Sequence, residues 1–209
     1  MFEILYRILQ TNEDLEELDE TSFDMGGDVL GFFAINVNGY HHGHYHNYPL
    51  QPSEFWSEEI SYWFISLIRA FHELNHSGYV LVNEVDSFNT WIELKKIQDM
   101  VTVNLIKAEK PCGTTESTDL RLTPLEKFEY SAWYVEYVKD GKACSELVDR
   151  RDESVKLSRF RAELLRKASQ YLDELREINP KLLGNRIIAE LEMLVQSLNN
   201  QNKPSDDCE

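Results

Sequence analysis

Residues 79–106 read YVLVNEVDSFNTWIELKKIQDMVTVNLI, and three β-type runs stand inside that stretch: Tyr79 to Val85, Trp91 to Leu94 and Met100 to Ile106. Asp86-Ser87-Phe88-Asn89 and Gln98-Asp99 separate them. Parallel strands need a crossover of a dozen residues or more, so connections this short predict an antiparallel meander. Immediately upstream the period changes. Ile60, Trp63, Phe64, Leu67, Phe71 and Leu74 recur at helical spacing and form one apolar stripe. Ser57 is placed to cap that helix, Glu58 and Glu59 suit its first turn, and Gly78 supplies a stop.

Further toward the N-terminus, Val29, Gly31, Phe33, Ile35 and Val37 alternate as a strand does. The run stops at Asn38-Gly39, a dipeptide suited to a type I′ turn, which predicts a hairpin returning through Tyr40 to His46. Beyond the meander, Phe128 to Val138 reads as another strand, with Asp140-Gly141 as a turn and a return through Cys144 to Val148. The last third is helical in period. Leu157, Phe160, Leu164, Ala168, Leu172 and Leu175 make one stripe, and Asn179-Pro180 starts a second helix carrying Ile187, Leu191, Leu194 and Leu198. The expected fold class is therefore α+β, an antiparallel sheet of hairpin and meander with one flanking amphipathic helix and a C-terminal helical hairpin. We expect one domain over residues 1–199, sheet-rich over 1–150 and a helical pair over 154–199, with 200–209 a disordered polar tail.

Composition limits what such a domain can bind. The 209 residues include ten Tyr, ten Phe and four Trp, with 42% hydrophobic residues, enough to bury a core. Acidic residues outnumber basic ones 37 to 21, for a net charge of −16. Phosphate backbones and anionic lipid both require Lys and Arg, so nucleic acid and membrane surface are poor partners, whereas a basic protein would be steered toward this chain. The opening MFEILYRILQ lacks the pattern of a secretory signal, and no apolar run reaches the ~18 residues needed to span a bilayer. A cytoplasmic location is the expectation. Cys112, Cys144 and Cys208 are odd in number, widely spaced and outside any CxxC, so neither a disulfide framework nor a zinc knuckle is expected.

Three clusters carry possible chemistry. His72-Glu73-Leu74-Asn75-His76 matches HExxH, in which two histidines one turn apart bind zinc and the glutamate activates water. By helical geometry both histidines project roughly 140–180° from Leu67 and so toward solvent, and no histidine follows His76 to complete the ligand set. In Tyr40-His41-His42-Gly43-His44-Tyr45-His46, the alternate residues His42, His44 and His46 would share one strand face and could hold a transition metal. Asp86, Glu93 and Lys95 follow the D…ExK order of magnesium-dependent nucleases, opposed here by the absence of a basic stripe for a polyanion. GxSxG, phosphate-loop and GxGxxG motifs do not occur. The densest charge lies in NEDLEELDETSFDMGGD at 12–28, where Glu16, Glu17, Asp19 and Glu20 are the candidate contacts for a basic partner.

The chain resembles immunity proteins encoded beside polymorphic toxins in Gram-positive bacteria. The resemblance rests on Gly31-Phe32-Phe33-Ala34-Ile35-Asn36-Val37-Asn38-Gly39, on Trp63-Phe64 in an aromatic helix, on Tyr79-Val80, on Asp86-Ser87-Phe88-Asn89-Thr90-Trp91-Ile92-Glu93, and on closing helices split at Asn179-Pro180-Lys181-Leu182. It implies a non-catalytic inhibitor, with no cofactor, that binds a cognate toxin protein and blocks its active site or an essential surface.

Overall fold

The computed structural model describes residues 1–18, 29–50, 57–83, 90–107, 122–123 and 149–200. It is an α+β protein built on two antiparallel sheets. The first contains β1 (Phe2–Ile8), β2 (Leu30–Val37) and β3 (Tyr40–His44) in the order β1-β2-β3, with the short β4 (Glu58–Glu59) also pairing β2. The second contains β5 (Tyr79–Asn83), β6 (Thr90–Ile97), β7 (Met100–Lys107), β8 (Leu122–Thr123) and β9 (Asp149–Lys156) in the order β8-β5-β6-β7-β9. The expected hairpin and meander are both present, and each belongs to its own sheet. Four α-helices are described: α1 (Asn12–Glu16), α2 (Ile60–Ser77), α3 (Leu157–Ile178) and α4 (Arg186–Asn200).

The flanking helix α2 serves both sheets. It packs on β2 and on β5 and β6, with α3 and α4 also against it. Its buried residues therefore exceed one stripe and include Ser61, Ser66 and Ala70 beside the large apolar side chains. A helix enclosed on most sides has to be apolar or internally bonded all round. Ser61 meets that demand by a 2.8 Å hydrogen bond with the Tyr171 hydroxyl. Trp63 stacks on Phe33 with centroids 5.1 Å apart, and Phe64 meets Phe33 edge-on at 5.2 Å. Gly31 fills a core-facing position of β2 because a Cβ there would lie 2.2 Å from the Arg7 carbonyl oxygen and 2.5 Å from Ile60. The helix start differs from the sequence expectation. Ser57 does not cap it; Glu58 and Glu59 pair with Gly31 and Leu30 as β4, and Ile60 N–H donates to the Val29 carbonyl at 3.0 Å. Glu58 is drawn out of the helix because its buried carboxylate accepts the Trp63 indole N–H at 2.7 Å.

Four strands have no counterpart in the sequence reading: β1, β9, the short β4, and β8, which lies in a stretch that reads as loop. β1 pairs all along β2, and its rim is covered by α3, where the Glu163 carboxylate accepts the Ile4 N–H at 3.1 Å. β9 pairs β7 and extends the sheet to residue 156, so the helical pair begins at 157 rather than 154. The turn of the first sheet touches the rim of the second: Asn38 Nδ2 donates to the Glu153 carboxylate at 2.5 Å. At the C-terminus, Asn179-Pro180 opens a single 3-10 turn over Pro180–Gly184, and Asn185 starts α4 by accepting the Ile187 N–H at 2.8 Å. On α4 Ile187, Ile188, Leu191, Val195 and Leu198 are buried, while Leu194 is half-buried. The expected strand at 128–138, its return at 144–148, the three cysteines and the tail at 201–209 lie outside the described residues. Among the described residues no helix is long and apolar enough to cross a membrane.

Candidate functional site

The acidic segment begins as a properly capped helix. Thr11 is extended, its hydroxyl accepts the Asp14 N–H at 3.1 Å, and the Asp14 carboxylate accepts the Thr11 N–H at 2.9 Å. This reciprocal pair satisfies two donors that a helix start leaves open. The Thr11 hydroxyl also donates to the Asp14 carboxylate at 2.7 Å, and this bond, with the one from the Thr11 N–H, holds the Asp14 carboxyl below its ordinary value. Leu15 is the buried residue of α1, and Glu13, Glu16 and Glu17 are exposed around it.

What positions the segment on the molecule is Asn179, 5% exposed at the corner between α3 and the 3-10 turn. Its Nδ2 donates to the Leu15 carbonyl at 2.9 Å and to the Leu18 carbonyl at 2.8 Å, and its Oδ1 accepts the Lys181 N–H at 3.1 Å. Asn179 thus ends a helix with its backbone N–H on the Leu175 carbonyl, while its side chain starts a turn and seats the acidic loop. The sequence marked Asn179 as a helix start, whereas its bonds to residues 15 and 18 span more than 160 positions and left no local trace. Of the four candidate contacts, Glu16 and Glu17 are exposed on this seat, and Asp19 and Glu20 lie outside the described residues.

The HExxH residues occupy the last two turns of α2. His76 is exposed as expected, whereas His72 is half-buried beside Phe71, and burial holds its imidazole below the ordinary histidine value. Glu73 lies between them, partly exposed. No group of three or more metal-ligating side chains occurs among the described residues.

The histidine hairpin is rearranged by Gly43. His42 stands opposite Ile35 and His44 opposite Phe33 in the register. Gly43 has φ +96°, open to glycine and strained for other residues, and a Cβ there would lie 2.5 Å from the Phe33 carbonyl oxygen. Past that kink the His44 and His46 rings lie against Phe32, at 4.9 and 4.5 Å, on the side of β2 away from Phe33 and Trp63. His42 precedes the kink and is half-buried. His46 is 6% exposed and stacks on Tyr48 at 3.8 Å, and Arg7 donates to the Tyr48 carbonyl at 2.8 Å. These rings form a packed aromatic layer.

In the D…ExK set, Glu93 is 4% exposed on the side of the second sheet away from α2. One carboxylate oxygen accepts the Tyr79 hydroxyl and the other accepts Asn104 Nδ2, both at 2.9 Å. Lys95 is exposed two residues on, and Asp86 lies outside the described residues. A carboxylate already holding two donors in a buried row is suited to cross-strand bonding rather than to gripping a metal. Comparison with known proteins finds no family model, no curated protein and no solved structure that matches this chain.

Proposed function

We propose that this protein is a non-catalytic acidic binding protein of the immunity type, which neutralises a cognate, basic bacterial toxin in the cytoplasm by direct protein–protein contact. The observation that carries this reading is the seated acidic segment: exposed Glu13, Glu16 and Glu17 on a capped helix fixed by Asn179, in a chain of net charge −16. A charged surface held rigid loses little entropy on binding, and its field raises the rate at which a basic partner arrives. The sequence resemblance to toxin-immunity proteins points the same way. Against it stands the zinc-hydrolase reading of His72, Glu73 and His76, supported by their spacing on α2.

The test is capture of the partner from native extract at low salt, elution with salt, and co-expression of the captured protein with and without this chain. The proposal requires a basic protein that arrests growth alone and is silenced by the wild-type chain. Glu16→Lys with Glu17→Lys should slow association by about three- to tenfold at low salt, an effect that fades as salt screens the charges. Unchanged association kinetics would remove this surface from the interface. One zinc per chain, lost on replacing His72 and His76, would favour the hydrolase instead.

A further inference from the structure

Asn38-Gly39 is the one Asn-Gly pair in the chain. Both residues are exposed at the tip of the first sheet's hairpin, and a Cβ placed on Gly39 would meet nothing within 4 Å. Glycine leaves its own backbone nitrogen without a side chain to shield it, so in an Asn-Gly pair that nitrogen can approach the carbonyl carbon of the asparagine side chain. Water and base reach the turn freely.

The same turn is where the two sheets touch. Asn38 Nδ2 donates to the half-buried Glu153 carboxylate at 2.5 Å and to the Ser154 carbonyl at 3.4 Å, both on β9. Asn38 Oδ1 accepts the Met1 amino group. The Gly39 N–H donates to Oδ1 of Asn36 at 2.8 Å, and Asn36 is 7% exposed. The two groups that would react, the Asn38 amide and the Gly39 nitrogen, are therefore each held by a partner. The bond to Glu153 is the strongest restraint among these neutral donors, because its acceptor is charged.

We infer that Asn38 is a site of spontaneous deamidation, restrained by its bond to Glu153, and that the conversion releases the hairpin of the first sheet from β9. The Gly39 nitrogen gives its proton to hydroxide and bonds to Asn38 Cγ. The Cγ–Nδ2 bond breaks, and Nδ2 takes up a proton and leaves as ammonia, closing a five-membered imide. Water then opens the ring at either carbonyl. One water is consumed, one ammonia is released, and nothing is oxidised or reduced. If aspartate forms, a carboxylate replaces the Nδ2 donor and faces the Glu153 carboxylate and the Ser154 carbonyl, so attraction becomes repulsion. If isoaspartate forms, the chain runs through Cγ and gains a backbone atom, which a two-residue turn joining paired strands does not absorb. Either product adds a negative charge to a chain already at −16.

The reaction is followed by incubating the full chain in mildly alkaline buffer at physiological temperature and mapping its peptides by mass spectrometry. The expected result is a slow amide-to-acid conversion at Asn38. It should run at least about threefold faster in Glu153→Ala, which frees Nδ2 from its charged acceptor, and near the wild-type rate in Glu153→Gln, whose side-chain oxygen still accepts the bond. Thermal melting shows whether each variant is folded under these conditions. If Glu153→Ala is not, Asn38→Asp carries the test: it should lower the melting midpoint, and adding Glu153→Gln should recover part of the loss, since the new amide donates to the new carboxylate. No conversion at Asn38, equal rates in folded Glu153→Ala and wild type, or an Asn38→Asp chain as stable as wild type overturns the inference.

Discussion

Replacing Asn179 by Ala tests how the acidic segment is held. The substitution deletes two hydrogen bonds to backbone carbonyls, at Leu15 and Leu18, and the side-chain oxygen that accepts the Lys181 N–H. Each carbonyl bond contributes roughly 1 kcal/mol net, more where the carbonyl is left dry, and a lost cap costs about 1 kcal/mol. The expected loss is therefore about 3 kcal/mol. With a urea dependence on the order of 2 kcal/mol per M, the unfolding midpoint should fall by roughly 1.5 M. Asn179→Asp keeps the cap oxygen but sets a carboxylate against two carbonyl oxygens, so it should not rescue. Amide exchange adds a local readout. Leu15 N–H bonds to the Thr11 carbonyl and Glu17 N–H to the Glu13 carbonyl, and their protection should drop more than that of α2. A midpoint within experimental error of wild type, with unchanged exchange at residues 15–18, would refute the argument that Asn179 seats this segment.

Two other substitutions probe groups that the sequence marked as chemical. Burial depresses the His72 pKa below its ordinary 6.5, so as pH falls through that value the unfolded chain takes up the proton first and stability declines, levelling off below the folded-state value. His72→Gln should flatten the urea-derived stability slope between pH 7.5 and 5.0, and an unaltered slope would mean His72 contributes nothing to it. Glu93→Ala strands the Tyr79 hydroxyl and the Asn104 amide and should cost about 2–4 kcal/mol in urea unfolding. Glu93→Gln retains one acceptor oxygen and should lose less; equal stability of all three proteins would show that the buried row does not depend on this carboxylate.

Some of the site was legible and some was not, for identifiable reasons. Asn38-Gly39 announced its turn because positive φ is a local requirement, and both residues adopt it, at 52° and 96°. The alternation of Phe2, Ile4, Tyr6 and Ile8 was also present in the sequence and marks β1, with Phe2 and Ile4 fully in the core. β9 offered no such signal. DRRDESVK has one apolar residue, Val155, and becomes a strand because β7 presents an edge for it to pair. Helix-start chemistry misled at Ser57, where the Trp63 indole and the β2 edge claim Glu58 and Glu59 before the helix can.

The sequence by itself determined the periods: alternation in β2, the stripes of α2 and α3, and the short connections that force antiparallel pairing. These depend on residues within a few positions of one another. Only the tertiary structure decided that hairpin and meander form separate sheets around α2, that His44 and His46 pack on Phe32 beyond the Gly43 kink, and that Asn179 seats an acidic helix more than 160 residues away. Those outcomes depend on which polar groups lose water together and must find partners across the fold, a condition that no local pattern encodes.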